Sequence, residues 1–448
     1  MSTTAPARSA LLLRRALCAA ALALALAAAA CLLACASQES SDGNGLVRSY
    51  DDQETVTLSF FALSAVPGMW PDDIVSLDGS TIHVVEDHAD YYAKGTTQES
   101  YRGFLASRLA ENSVDAYIVP AEDVIDFDRH GYLMDLSGLD AASTLSVDAL
   151  AQSTYDGKVF SIPLSYTGFG FIWNKDMLDA HGLSVPEDLG QFLHVCETLK
   201  AAGITPYVAN NDFALTAPAM AVGFADLYAS DDAEQLLADL SSGATPVSTY
   251  MEKGFAFVEM LADKGYLDVD RTLSTAPNND VEPFLAQEGA FVCGLVGRPG
   301  LADAEFATAG TAMPVLDEGS VAVVGADRRM AINPSSEKRE YAVEAIEALC
   351  APDNLKRIAG IKGQLTPLAD DESNAAGEAY ASLVETVRSG NQIPNQDFRL
   401  HFNTWASIRD LCRELLAGSS AHDVALRYDD MQRAEVAQYD AQAPSAAE

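Results

Sequence analysis

The chain has little positive charge. Only 28 Lys+Arg stand against 65 Asp+Glu, a net charge of −37 over 448 residues. Such a surface repels a phosphate backbone, so nucleic acid is excluded as a partner and the excess acid reads as a solubilising surface. Cysteine is scarce as well. Of seven, only Cys196, Cys293, Cys350 and Cys412 lie beyond Cys35, widely spaced and without a CxxC, which excludes a small disulfide scaffold and a zinc site. Cys293, Cys350 and Cys412 fall in apolar stretches and are expected in the core, free or paired. Catalytic signatures are missing: there is no GxSxG, Walker A or HExxH. "HVVEDH" brings together His83, Glu86, Asp87 and His88, but a strand running into a loop points these side chains apart, so no metal is expected there. "DFDRHG" (126–131) opens like a calcium loop and fails at its twelfth position, Ser137. No cofactor is implied. Among so many acids, a nearby carboxylate pair says nothing specific about glycosidase chemistry.

What is present begins with a long apolar run. With 48% hydrophobic residues the chain can bury a large core, and its length suggests two or three domains. Arg8, Arg14 and Arg15 precede an almost unbroken Ala/Leu stretch, 16–34, long enough to span a bilayer as a helix. An ordinary signal peptide, a single anchor helix and a lipoprotein signal are all readings of it. Leu32-Leu33-Ala34-Cys35 resembles the lipobox of bacterial lipoproteins, in which the cysteine is lipidated and becomes the new N-terminus; the run before Cys31 lacks the branched residue. The resemblance implies a signal peptide over 1–34, and a lipidated N-terminus with a flexible tether over 35–51. Loss of 1–34 removes three arginines and no acids, leaving 25 basic against 65 acidic residues, or −40.

Beyond the tether, strand and helix patterns alternate. "TVTLSFFALS" (55–64), "STIHVVED" (80–87) and "VDAYIVP" (114–120) read as strands, and 98–112 as a helix with Tyr101, Phe104, Leu105 and Leu109 on one face. This order predicts an α/β domain with a mostly parallel sheet. Further on come a short helix over 175–181 and a longer one over 186–202, each stopped by glycine. Phe171 and Trp173 alternate within a strand and are expected in the core. Strand patterns over "GAFVCGLVG" and "VAVVGADRRMAINP" precede a helical 336–360.

Several pieces, in order, resemble the extracellular solute-binding proteins of ABC importers, in particular the sugar-binding, maltose-binding-protein-like group. They are "VDAYIVPAEDVIDFDRHGYLMDLS", "YDGKVFSIPLSYTGFGFIWNKDMLDAHGL", "LKAAGITPYV", "FLAQEGAFVCGLVG", "MAINPSSEKREYAVEAIEALCAPDN", "GQLTP" and "IPNQDFRLHFNTW". The resemblance covers most of 55–435. It implies a periplasmic-binding-protein-like fold, with two α/β lobes joined by a hinge and an interlobe ligand cleft. The lobes would be 52–163 plus 321–369 and 164–320 plus 384–435, followed by a disordered tail, 436–448.

Sugars offer apolar C–H faces to aromatic rings and hydroxyls to acids, amides and guanidinium groups. On that basis the resemblance nominates Trp70, beside Asp72 and Asp73, and Glu122, just after the third strand. Asn211, Asp212 and Phe213 in "NNDF" are nominated too, although a plain Asx turn explains that composition equally well. Tyr166 is placed at the hinge. Trp405 either lines the cleft or packs between helices. Where the family often carries a tryptophan after "GAFVCG", this chain has "LVGRPG"; Arg298 there either makes a bidentate contact to an acidic ligand or is solvated. The implied protein is a non-enzymatic lipoprotein, lipidated at Cys35 and tethered to the outer face of the cell membrane. It would be a monomer that carries a small sugar or oligosaccharide to permease subunits. A secreted carbohydrate-active enzyme and a non-transporting sensor of the same fold are the alternatives.

Overall fold

The computed structural model of the protein describes residues 54–89, 98–274, 279–373 and 375–442. The signal segment and Cys35 lie outside them. The described residues form one compact unit, built on an open mixed sheet ordered β2-β3-β1-β4-β10-β7-β8. Its strands are β1 (Thr55–Ala62), β2 (Ile74–Val75), β3 (Thr81–His88), β4 (Ala116–Ile118), β7 (Ile162–Asn174), β8 (Phe291–Leu295) and β10 (Ala322–Ile332). β9 (Thr308–Thr311) adds to β7 and β11 (Gln392–Pro394) to β10, while β5 (Thr154–Tyr155) and β6 (Lys158–Val159) form a separate hairpin. A mostly parallel sheet was expected. Parallel pairing in fact holds β3–β1–β4 and β10–β11, whereas β10 runs antiparallel to both β4 and β7.

The helices that bear on the cores include α1 (Gln98–Ala110), α2 (Lys175–Ala180), α3 (Leu189–Ala201), α4 (Phe213–Tyr228), α5 (Ala233–Ser241), α6 (Ser248–Asp263), α7 (Arg339–Leu349), α8 (Pro352–Lys362), α9 (Trp405–Leu416) and α10 (Ala421–Gln442). On α1, Tyr101, Leu105 and Leu109 are buried at i, i+4 and i+8, but Phe104 is half-exposed at the edge of that stripe. The single helix read over 336–360 is two, because Pro352 opens α8. α10 continues to Gln442 with Val436 buried, so 436–442 is packed helix where a disordered tail was expected.

β7 is buried along its whole length because it serves two cores. Ile162, Leu164 and Tyr166 pack with β1, β4, α7 and α8, whereas Phe169, Phe171 and Trp173 pack with α3, α4, α6 and α9. β10 does the same, with Val323 in the second cluster and Val324, Ala326, Met330 and Ile332 in the first. Gly170 is needed where the strands crowd, since a Cβ there would strike the Thr311 carbonyl of β9.

α4 is apolar on every side and mostly buried, as a core helix must be. Pro218 sits inside it and cannot donate to the carbonyl of Ala214. The Tyr207 hydroxyl, also buried, donates to that carbonyl instead. Among the described residues no single helix is long and apolar enough to cross a membrane. Cys293, Cys350 and Cys412 are buried free thiols, as expected of core residues, and Cys196 is one as well; burial raises each above its ordinary pKa.

Candidate functional site

Three segments converge beside the shared strands. Glu122 follows β4, the turn 210–213 opens α4, and α9 presents Trp405, Arg409 and Arg413 at i, i+4 and i+8 along one stripe. The adjoining face of α9 buries Ile408, Leu411, Cys412 and Leu415, which leaves the stripe at the edge of the core.

Glu122 and Arg409 form an ion pair, Oε2 to Nη1 at 3.0 Å, with both side chains largely buried. Asn403, just before α9, donates from Nδ2 to the Glu122 carbonyl at 3.0 Å. Arg413 donates from Nε to the Asn211 carbonyl at 2.6 Å and, with Arg409, also meets Asp410. Asp212 completes this charged group. Its Oδ1 is buried without a hydrogen-bond partner, and burial raises its carboxyl against the pull of Arg409 and Arg413. Next to Glu122, burial raises the Asp123 carboxyl to about 7, despite its ion pair with Arg102.

Aromatic rings gather on the other side. Phe169 of β7 lies 5.7 Å from Phe213 and 5.1 Å from Trp405, centroid to centroid, both tilted. The Arg298 Cζ stands 4.8 Å from the Phe213 ring centre, a cation–π arrangement. Arg298 is not solvated. Asp280 takes its Nη1 at 2.9 Å and its Nη2 at 2.5 Å, and the Cys293 carbonyl takes Nη1 at 2.7 Å. The bidentate contact considered for a ligand is therefore made to Asp280, in a pair that is almost wholly buried. Asn210 links this pair to the turn. Its Nδ2 donates to Asp280 at 2.9 Å while its Oδ1 accepts from the N–H groups of Asp212 and Ala214. The Asx turn is thus real, and Asn210 makes it.

Of the nominated residues, Glu122, Asn211, Asp212, Phe213, Arg298 and Trp405 share one neighbourhood. Trp70 does not join it. It meets Phe60 edge-on at 5.4 Å and packs on the β1 core, with its Nε1 buried and without a partner. Tyr166 is buried within the shared strands, where its hydroxyl accepts from Gln152 Nε2 at 3.1 Å. Arg409, Arg413, Phe169 and Asp280 were missed. The four-residue spacing Trp405–Arg409–Arg413 was the available signal. A cavity of about 460 Å³ beside α5 and α10 is lined by Glu234, Ser241, Arg399, His401 and Asp440; it shares none of these residues. Among the described residues no three His, Cys, Asp or Glu gather as metal ligands.

Residues 92–383 match the family of bacterial extracellular solute-binding proteins, well over half of the chain. The chain belongs to that family. Its fold is that of solved sugar-binding relatives, as far as structure alone is compared. A family 1 extracellular solute-binding protein from Bifidobacterium longum subsp. infantis superposes with a TM-score of 0.63 at 18% identity, over 85% of this chain and 99% of that one. A sugar transporter protein from Bacillus licheniformis, solved with stachyose, gives 0.63 at 20% identity over 84% and 100%. The GacH receptor of Streptomyces glaucescens, solved unliganded and with acarbose, gives 0.65 at 15% over 86% and 99%. No curated protein matches the chain in sequence.

Proposed function

We propose that this member of the solute-binding family is a lipid-tethered receptor that captures a carbohydrate between two lobes and hands it to an ABC permease. The lobes are 52–163 plus 321–369 and 164–320 plus 384–435, with β7 and β10 as the segments common to both cores. The observation that carries the reading is the pairing of an aromatic wall, Phe169, Phe213 and Trp405, with the charged group Glu122, Arg409 and Asp212. Rings cover the C–H faces of a sugar, and the charged groups bond its hydroxyls. In this reading Glu122 comes from one lobe and Trp405, Phe213 and Asp212 from the other, so a ligand that touches both favours closure. Arg298 and Asn210 shape the turn from behind.

Energies agree with shared duty. Micromolar affinity corresponds to ~8 kcal/mol, while one ring covering ~100 Å² of apolar surface contributes only ~2.5 kcal/mol before the costs of association. The wall and the charged group are both needed. Anchoring by Cys35 keeps such a monomeric receptor beside its permease, and nothing in this reading requires turnover.

Thermal unfolding against a panel of mono- and oligosaccharides tests it. A true ligand at ~100 times Kd adds ~2.7 kcal/mol of stability, and the radius of gyration should shrink on saturation. A panel that leaves the melting temperature unmoved, or a glycan that is hydrolysed, would reject the reading.

A further inference from the structure

Arg328 of β10 has φ +54, in the left-handed region that a long side chain rarely adopts. Strand alternation would place it on the face of Ala326 and Met330, both in the apolar core. The left-handed turn takes it off that face, and its backbone N–H is held by Asp327 Oδ1 at 2.8 Å. Its guanidinium reaches Ser64 instead, with Nη2 at 2.8 Å from the hydroxyl and Nη1 on the carbonyl. Ser64 lies just past β1, and the carbonyl of Arg329 accepts the N–H of Val119, just past β4, at 2.9 Å. β1 and β4 are parallel, so the Arg328 guanidinium and the Arg329 backbone stand at the carboxyl ends of neighbouring strands, the edge where open α/β sheets hold ligands. Glu122 begins on the same edge.

The charge there is unbalanced. Lys362 pairs with Asp327, and although burial would raise the Asp327 carboxyl, Lys362 and Arg328 hold it down to about 2. That leaves Arg328 and Arg329 without an ion pair to any described residue. Arg329 is buried, bonds the Gln152 carbonyl from Nε at 3.3 Å, and has its Nη2 buried without a partner. Asp123, another acid of this region, is already bound by Arg102. In a chain of net charge −37, an excess of guanidinium at the ligand edge is costly unless an anion completes it.

Resting on the carbohydrate reading above, we propose that the captured saccharide carries an anionic group, a uronate carboxylate or a sugar sulfate, seated on Arg328 with Arg329 behind it. A neutral sugar has only hydroxyls to offer, whereas a planar anion matches the guanidinium fork by two parallel hydrogen bonds. Arg298, which the sequence suggested for this task, is already taken by Asp280.

The test is calorimetric titration with matched pairs: galacturonate and neutral galactose oligosaccharides, sulfated and unsulfated disaccharides, and inorganic sulfate alone. The acidic members should bind at least about tenfold tighter than their neutral partners, an advantage that weakens with salt. Arg328→Gln should abolish that preference and leave the melting temperature near that of the wild type; Arg328→Lys, which keeps the charge without the fork, replaces it if the first variant does not fold. Preferred binding of neutral members, or an acidic preference unchanged in Arg328→Gln, overturns this inference while sparing the carbohydrate reading. Binding of no saccharide at all overturns both. Sulfate alone competing as tightly as any sugar shows an adventitious ion only and also overturns it. Whether carboxylated or sulfated members bind tells the two sources of anion apart.

Discussion

Glu122 Oε2 lies 3.0 Å from Arg409 Nη1, and this pair ties a segment that follows β4 to a helix some 287 positions later in the chain. Burial pushes the Arg409 guanidinium down, but Glu122, Asp212 and Asp410 outweigh it and leave it raised. Glu122→Gln keeps the shape and removes the charge. Its loss leaves Arg409 facing fewer acids in a largely buried position, which costs about 1–3 kcal/mol. The variant should show a lower denaturation midpoint and a larger radius of gyration without ligand. A radius equal to that of the wild type would mean the pair does not hold the two segments together.

Trp405 is half-buried and rests on Phe169. Trp405→Ala should weaken saccharide binding by ~1–3 kcal/mol, as for a buried interface aromatic, with little change in melting temperature. Normal affinity, or an unfolded variant, would make this tryptophan a packing residue of α9.

Asp123 sets a pH dependence. Its folded carboxyl titrates at about 7 because burial outweighs Arg102, whereas an unfolded aspartate titrates near ~3.9. The folded state therefore holds the extra proton within this window. Stability from this group is full below pH ~4 and falls as pH rises toward 7, by on the order of 4 kcal/mol. Urea denaturation at pH 5 and pH 8 should show this loss in the wild type and not in Asp123→Asn. Parallel behaviour of the two proteins would show Asp123 ionised throughout.

Tyr207 and Pro218 are coupled through the Ala214 carbonyl. Tyr207→Phe should cost ~1–3 kcal/mol by leaving that buried acceptor unpaired. In a Pro218→Ala background the cost should shrink, because the new N–H can take the carbonyl. A double-mutant cycle measures the coupling, and strictly additive costs would refute it.

Membrane attachment through Cys35 is part of the proposed function. Cys35→Ser should release the protein from membranes or leave it unprocessed, read by fractionation and lipid labelling. Retained labelling in Cys35→Ser, together with its loss in Cys31→Ser, would move the anchor to the other cysteine.

The amino-acid sequence by itself determined the elements and the core. Runs of β-branched and aromatic residues around 55–62 and 162–174, and glycine stops after 175–180 and 189–201, are local signals that act within a few residues. So is the alternation that buries Phe171 and Trp173. The order of the segments from 114 to 405 also carried the resemblance to the family. Tertiary structure decided what those segments face. Whether β10 lies parallel or antiparallel to β4 depends on where the chain returns from, which no local pattern records. Arg298 reads identically as a ligand donor or a structural cation until Asp280 is placed against it. Arg409 joins the candidate site only through Glu122, and Arg328 enters the proposed anion site only through a left-handed backbone beside Ser64. Charges are assigned by their partners, and partners hundreds of residues apart meet only when the chain has folded.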